Sequence, residues 1–234
     1  MYLKLKQPYF VALDLDDPEK ILNIANNLKD HVGGFKLGPR LLLRYGQEFS
    51  LKIAGLAPLF IDHKFYDIPN TMLSSVKAAF DLGASFTTVH AACGPEALAE
   101  LAKLEQELNK IKPFKILAVT VLTSFSENNK PIHWQETSIE QTIINLVQQA
   151  VDAGITGLVC SPYEAKILKE KFPETYIVTP GVRLAGGDVG DQKRVMTPDK
   201  ALSMGASALV IGRPIVKAGD PLAVVQEINQ LCTK

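Results

Sequence analysis

Three charged residues stand at short intervals in L-F-I-D-H-K-F-Y-D-I-P-N-T, the segment from Leu59 to Thr71: Asp62, Lys64 and Asp67. A carboxylate and an ammonium two residues apart share one side of an extended chain. If that side faces inward, the pair can set fixed charge against a reacting molecule, and the ammonium can deliver a proton. Lys36, inside the short apolar run G-F-K-L, would bring a second ammonium to the same place. The plainer alternative is a structural ion pair between Asp62 and Lys64, with Lys36 reaching out to solvent. Buried charge is costly to desolvate, so several charges converging on one face point to chemistry.

Such residues need elements to hold them. Eight short β-rich apolar runs recur along the chain, separated by stretches of helical periodicity. They are Phe10 to Leu15, Gly34 to Leu37, Leu59 to Asp62, Phe86 to His90, Lys115 to Val121, Gly157 to Cys160, Thr175 to Thr179 and Ala208 to Ile211. Their starts are spaced by about 28 residues on average, the length of a βαβ unit. This repeat predicts an α/β chain folded as a (β/α)8 TIM barrel, one domain over residues 1–234, with a doubly wound open sheet as the alternative.

Local signals support the helices. Asp16-Asp17-Pro18 opens the first, Ile21, Leu22, Ile24, Ala25 and Leu28 form its apolar stripe, and Gly33-Gly34 stops it. Gly83, Gly154 and Gly205 sit where later helices should end, each suited to a C-cap. After strand three Pro69 restricts the backbone, and Asn70 or Thr71 is placed to cap the next helix. Long segments follow strands five (Thr123 to Gln135) and seven (Pro180 to Pro198), at the end of a barrel where binding groups gather. Phosphate is often gripped after strands seven and eight, where this chain has Arg183 and Gln192, then Gly212-Arg213.

Composition narrows the function. A chain of 234 residues that is 47% hydrophobic and 21% charged is neither disordered nor a coiled coil. Twenty-five basic residues balance twenty-five acidic ones, so the field that would gather nucleic acid or an anionic membrane is missing. No apolar run is long enough to span a bilayer, and the start M-Y-L-K-L-K-Q-P-Y-F lacks a signal peptide's order, so a cytoplasmic protein is expected. Cys93, Cys160 and Cys232 are scattered and odd in number, and read as small buried hydrophobes. His31, His63, His90 and His133 show no metal-binding spacing, and no dinucleotide or Walker pattern occurs, so neither metal nor organic cofactor is expected. His63 alternates with Asp62 and Lys64 and should face away from them. His90 suits either a structural hydrogen bond or ligand contact; His31 and His133 suit the surface, and Trp134 should pack its loop down.

From Leu59 to Thr71 the chain resembles the signature of the orotidine 5′-monophosphate decarboxylase family, which converts orotidylate to UMP in de novo pyrimidine synthesis. Asp14, F-K-L-G around Lys36, T-V-H-A around His90, V-L-T-S around Thr123, P-G-V-R from Pro180, G-D-Q-K-R around Gln192 and V-I-G-R-P after strand eight follow in the family's order. The resemblance implies a cofactor-free carboxy-lyase with Lys64 as proton donor, Asp62 and Lys36 in its charged network, and Asp67 reaching the site of a partner in a homodimer. It further implies that Gln192 and Arg213 bind phosphate with Arg183 and the Gly212 backbone, and that Asp14 and Lys36 meet ribose hydroxyls. Thr123 and Ser124 would lie near the base, with Ile68, Thr71 and Pro180 completing the nucleotide site. The loop with Gly186, Gly187 and Gly190 would close over the ligand. A monofunctional chain is expected, with no fused second enzyme.

The sequence is also compatible with two rival readings. One resembles 3-keto-L-gulonate 6-phosphate decarboxylase, a magnesium-using relative with the same strand-three spacing but an acidic residue after strand two, where this chain has Lys36. The other is a nucleotide-binding barrel without catalysis, using the phosphate grip alone.

Overall fold

The structure, a computed structural model, describes residues 3–134, 136–184 and 196–233, and of His133 the backbone only. Eight parallel strands close into a barrel in chain order: β1 (Tyr9–Ala12), β2 (Gly34–Leu37), β3 (Leu59–Phe65), β4 (Ala84–His90), β5 (Lys115–Val119), β6 (Gly157–Val159), β7 (Tyr176–Thr179) and β8 (Ala208–Ile211). β1 pairs with both β2 and β8, which closes the ring. The expected (β/α)8 barrel is therefore the fold, and the open sheet is not. Strand order and number match the sequence reading; the ends move by a few residues, with β1 stopping before Asp14 and β3 running on to Phe65.

Helices α1 (Pro18–Leu28), α2 (Pro39–Ala54), α3 (Pro69–Asp81), α4 (Pro95–Leu108), α5 (Ile139–Asp152), α6 (Pro162–Lys171) and α7 (Pro198–Ser203) alternate with the strands. A short α8 (Arg213–Val216) and a final α9 (Pro221–Cys232) follow β8. Most of these helices start on a proline, whose ring presets the helical φ at a position where the missing N–H has no partner to lose. In α1 the Asp17 carboxylate accepts from the Glu19 and Lys20 N–H groups at 2.9 and 3.3 Å, as the sequence suggested. α3 departs from expectation: Ile68 is its N-cap residue, and Asn70 and Thr71 fall inside the first turn because Pro69 takes the first helical position.

Gly83, Gly154 and Gly205 each follow a helix C-cap with φ of 94°, 96° and 102°, a backbone region costly for any residue with a Cβ. Gly33 is different. It does not have a positive φ; α1 ends earlier, at Leu28, and a Cβ on Gly33 would stand 2.0 Å from the Gln7 carbonyl oxygen. Close approach of the chain to β1, not helix termination, requires glycine there.

Two apolar layers result. The larger lies between the barrel wall and the helices. The smaller fills the barrel's amino-terminal half, where Phe10, Phe60 and Phe86 meet edge-to-face with centroids 5.0–6.5 Å apart, beside Leu117, Val178 and Ala208. Each such ring contributes roughly 1.5–3 kcal/mol by leaving water. Period-two alternation then sets Asp62 above this floor after Phe60 and Thr88 after Phe86. At the opposite end Lys115 makes a buried 2.8 Å ion pair with Glu105 of α4, whose second oxygen accepts the Ile116 N–H. That pair ties a helix to the barrel and lies away from the mouth.

Candidate active site

At the carboxyl-terminal mouth a cavity of about 600 Å³ opens above the aromatic floor, within the usual size range for a small-ligand site. Asp14, Lys36, Asp62, Lys64, Thr123, Pro180, Arg183, Gly212 and Arg213 are all among its lining residues. The structure thus brings nine of the residues singled out in the sequence around one cavity, contributed by the ends of β1, β2, β3, β5, β7 and β8.

The lysines and carboxylates among them form a chain. Lys64 Nζ donates to Asp62 Oδ1 at 2.8 Å; Lys36 Nζ stands 3.6 Å from Asp62 Oδ2 and 3.5 Å from Asp14 Oδ2. Lys36 is 7% exposed, so it does not reach out to solvent, which removes the plainer reading for that residue. Burial pushes the Asp62 carboxyl up, but the Lys36 and Lys64 ammonium groups and hydrogen bonds from Lys64 and Thr88 outweigh it and hold it below the ordinary carboxylate value. Asp62 is therefore an anion clamped between two cations.

The backbone beneath this pair is not extended, contrary to the expectation for Asp62 and Lys64. Register runs Ile61↔Thr87 and then Phe65↔Val89, so three residues of β3 stand opposite the single residue Thr88. Lys64 has φ 51°, the one non-glycine residue with positive φ among those described, at a cost of about 1–3 kcal/mol. Neighbouring threonines on β4 replace the interrupted ladder. Thr87 Oγ1 donates to the Ile61 carbonyl at 3.0 Å, while Thr88 Oγ1 accepts the Lys64 N–H at 2.9 Å and donates to Asp62 Oδ1 at 3.1 Å. The bulge re-aims Lys64 so that its ammonium still meets Asp62. Sequence reasoning missed Thr88; its position two residues after Phe86, on the face that points into the barrel, was the available signal.

Other expected site residues stand apart in this single chain. Asp67, Ile68 and Thr71 are exposed beyond β3 and do not line the cavity; Asp67 Oδ1 accepts the adjacent Ile68 N–H at 2.7 Å. Ser124 is exposed, and its carbonyl accepts from the Asn129 side chain at 3.2 Å. Gln192, Gly186, Gly187 and Gly190 lie outside the described residues. Arg40 and Lys217, which the sequence did not single out, also line the mouth. Arg40 pairs with Asp16 at 3.2 Å.

The tempting residues resolve one by one. His63 packs its ring on Phe65 at 5.3 Å and lies outside the cavity lining, as alternation required. His90 makes a structural hydrogen bond, its Nδ1 accepting the Ala92 N–H at 3.4 Å, and its ring meets Tyr66 at 5.5 Å. Trp134 packs against Phe125 across the loop after β5. Burial pushes the Cys160 thiol well above its ordinary value, and the Cys93 and Cys232 thiols up to about 11, as befits hydrophobes rather than nucleophiles. Among the described residues no group of three or more His, Cys, Asp or Glu is placed to hold a metal ion. No helix among them is long and apolar enough to cross a membrane.

This geometry can be set beside known proteins. The model of the orotidine 5'-phosphate decarboxylase / HUMPS family matches residues 8–228, nearly the whole chain and the whole barrel. The chain belongs to this family. Among its relatives, the orotidine 5'-phosphate decarboxylase of Parasynechococcus marenigrum (strain WH8102) is 45% identical over 223 residues, covering 91% of this chain and 89% of the relative. That of Shewanella sediminis (strain HAW-EB3) is 39% identical over 226 residues, 96% of each. A crystal structure of orotidine 5'-phosphate decarboxylase from Lactobacillus acidophilus superposes with a TM-score of 0.82 at 33% identity, over 98% of this chain and all of that one. The likeness thus extends over the whole barrel.

Proposed function

We propose that this protein decarboxylates orotidine 5′-monophosphate to UMP, as one barrel domain over residues 1–234 acting without metal or organic cofactor. The observation that carries the reading is the Lys36–Asp62–Lys64 chain, set above an apolar floor in a cavity of about 600 Å³ that Arg183 and Arg213 also line. The full-length match to relatives named for this activity supports it.

The chemistry follows from charge. When the carboxylate leaves as carbon dioxide, the bonding electron pair stays on the pyrimidine carbon. A fixed ammonium beside that carbon gains attraction as the negative charge grows, and this gain exists only near the transition state. Lys64 then transfers a proton to the same carbon, completing UMP. Asp62 keeps both ammonium groups aimed, and Lys36 with Asp14 meets the ribose hydroxyls. Thr123, with Ser124 beside it, lies near the base. Arg213 grips the phosphate in bidentate fashion, helped by Arg183, the Gly212 backbone and Gln192. Phosphate binding energy far from the reacting carbon orders the substrate against the charged side.

The protein works as a homodimer in this reading. Asp67, Ile68 and Thr71 are site residues by family resemblance, yet all three stand exposed outside their own cavity. Tyr66 and Ile68, 65% and 67% exposed, give that edge an apolar character that a second copy would cover. Balanced charge and unpaired cysteines fit a cytoplasmic setting.

The buried Lys36 favours orotidylate over a magnesium-bound sugar phosphate, because a cation there repels a metal ion. The deciding assay follows orotidylate absorbance in excess chelator with no added cofactor. Steady conversion to UMP is expected; no conversion, or conversion only with magnesium, overturns the reading.

A further inference from the structure

We infer that Thr88 is a positioning residue for the reaction, its single hydroxyl setting the Lys64 backbone and the Asp62 carboxylate at once. The inference rests on Lys64 being the proton donor proposed above.

The hydroxyl's hydrogen-bonding capacity dictates its direction. An ionised carboxylate only accepts, so the one Thr88 proton goes to Asp62 Oδ1, and a lone pair is left for the Lys64 N–H. Valine has nearly the same shape but neither capacity. Thr88 is fully buried and does not line the cavity, so its effect must pass through these two bonds. With the hydroxyl and Lys64 Nζ both on Oδ1, the other oxygen is left facing Lys36. The carboxylate cannot turn without giving up both bonds.

The second bond acts on the bulge. Lys64 sits at φ 51° in the stretch where β3 loses its pairing with β4, and the Thr88 oxygen is what its N–H meets there. Removing that oxygen leaves a buried donor unpaired and an unfavourable φ untied, directly beneath the ammonium that must reach the substrate carbon. Thr87 provides a contrast. Its hydroxyl holds the Ile61 carbonyl at the start of the same bulge but touches neither Asp62 nor Lys64.

Purified wild type, Thr88→Val, Thr88→Ser and Thr87→Val would be compared for kcat and KM with orotidylate, UMP dissociation constant and melting temperature. Thr88→Val is expected to lower kcat by about 30-fold, while KM and UMP affinity stay within about 3-fold. Thr88→Ser should return kcat to within about 3-fold of wild type, because the hydroxyl is restored. Thr87→Val should lower the melting temperature and leave kcat within about 3-fold. Should Thr88→Val fail to fold, Thr88→Ala against Thr88→Ser makes the same comparison. A valine variant as fast as wild type, a serine variant as slow as valine, or a Thr87→Val loss equal to that of Thr88→Val would each overturn the role. Wild type that leaves orotidylate untouched would instead overturn the proposed function, and this role with it.

Discussion

The Lys64 ammonium lies 2.8 Å from a carboxylate oxygen of Asp62, two residues back along a strand that bulges between them. Close attachment at that distance means the proposed proton donor is held, not merely present. Lys64→Ala is therefore expected to lower kcat at least about 1,000-fold, since it removes both the fixed positive charge and the general acid. UMP affinity should stay within about 10-fold, because the phosphate contacts proposed above come from other residues. Turnover and UMP titration calorimetry on one preparation check both halves.

Arg213 and Arg183 should show the reverse pattern. Arg183 is 7% exposed and donates to the Val182 carbonyl at 2.8 Å, so its guanidinium is already oriented at the cavity wall. Arg213→Ala is expected to weaken UMP binding roughly 10- to 100-fold, the worth of a charge-assisted contact. Arg183→Ala should weaken it less. If Arg213→Ala spared binding while Lys64→Ala abolished it, the two roles would have to be exchanged.

Asp67 offers a test of the assembly. Asp67→Ala and Lys64→Ala homodimers should each be nearly inactive, but mixed and reassembled in equal amounts they should recover about a quarter of wild-type activity through mixed dimers with one intact site. Sedimentation under assay conditions should show a dimer. A fully active monomer, or no recovery on mixing, would return Asp67 to a purely local role.

Acid should destabilise the fold partly through His90. Burial first, and then the Lys64 charge, lower its pKa below the ordinary 6.5, and its Nδ1 must be unprotonated to accept the Ala92 N–H. With the folded value depressed, this contribution is complete above pH 6.5 and fades as pH falls through the lower folded value. His63, also lowered by burial foremost, adds a loss of the same sign. Thermal unfolding from pH 7.5 to 5 should show a falling melting temperature, and His90→Asn, which keeps a capping acceptor without the titration, should flatten the slope. An unchanged slope would assign the acid sensitivity elsewhere.

The barrel and most of its mouth were legible in the linear chain. Apolar runs spaced by about one βαβ unit, glycines ending helices and alternation along strands are local consequences of backbone geometry, so they survive in sequence. The same alternation put Lys36 and Asp62 on the inner face, and the turns after β7 and β8 brought Arg183 and Arg213 to the cavity. Nothing local could show that β3 slips by two residues against β4, because the slip arises between strands. The positive φ of Lys64, the hydroxyl of Thr88 that meets it, and the two oxygens of Asp62 divided between separate lysines were decided only when distant segments packed. The exposure of Asp67 was decided in the same way: a carboxylate's neighbours depend on which surfaces meet, and its own segment contains no record of them.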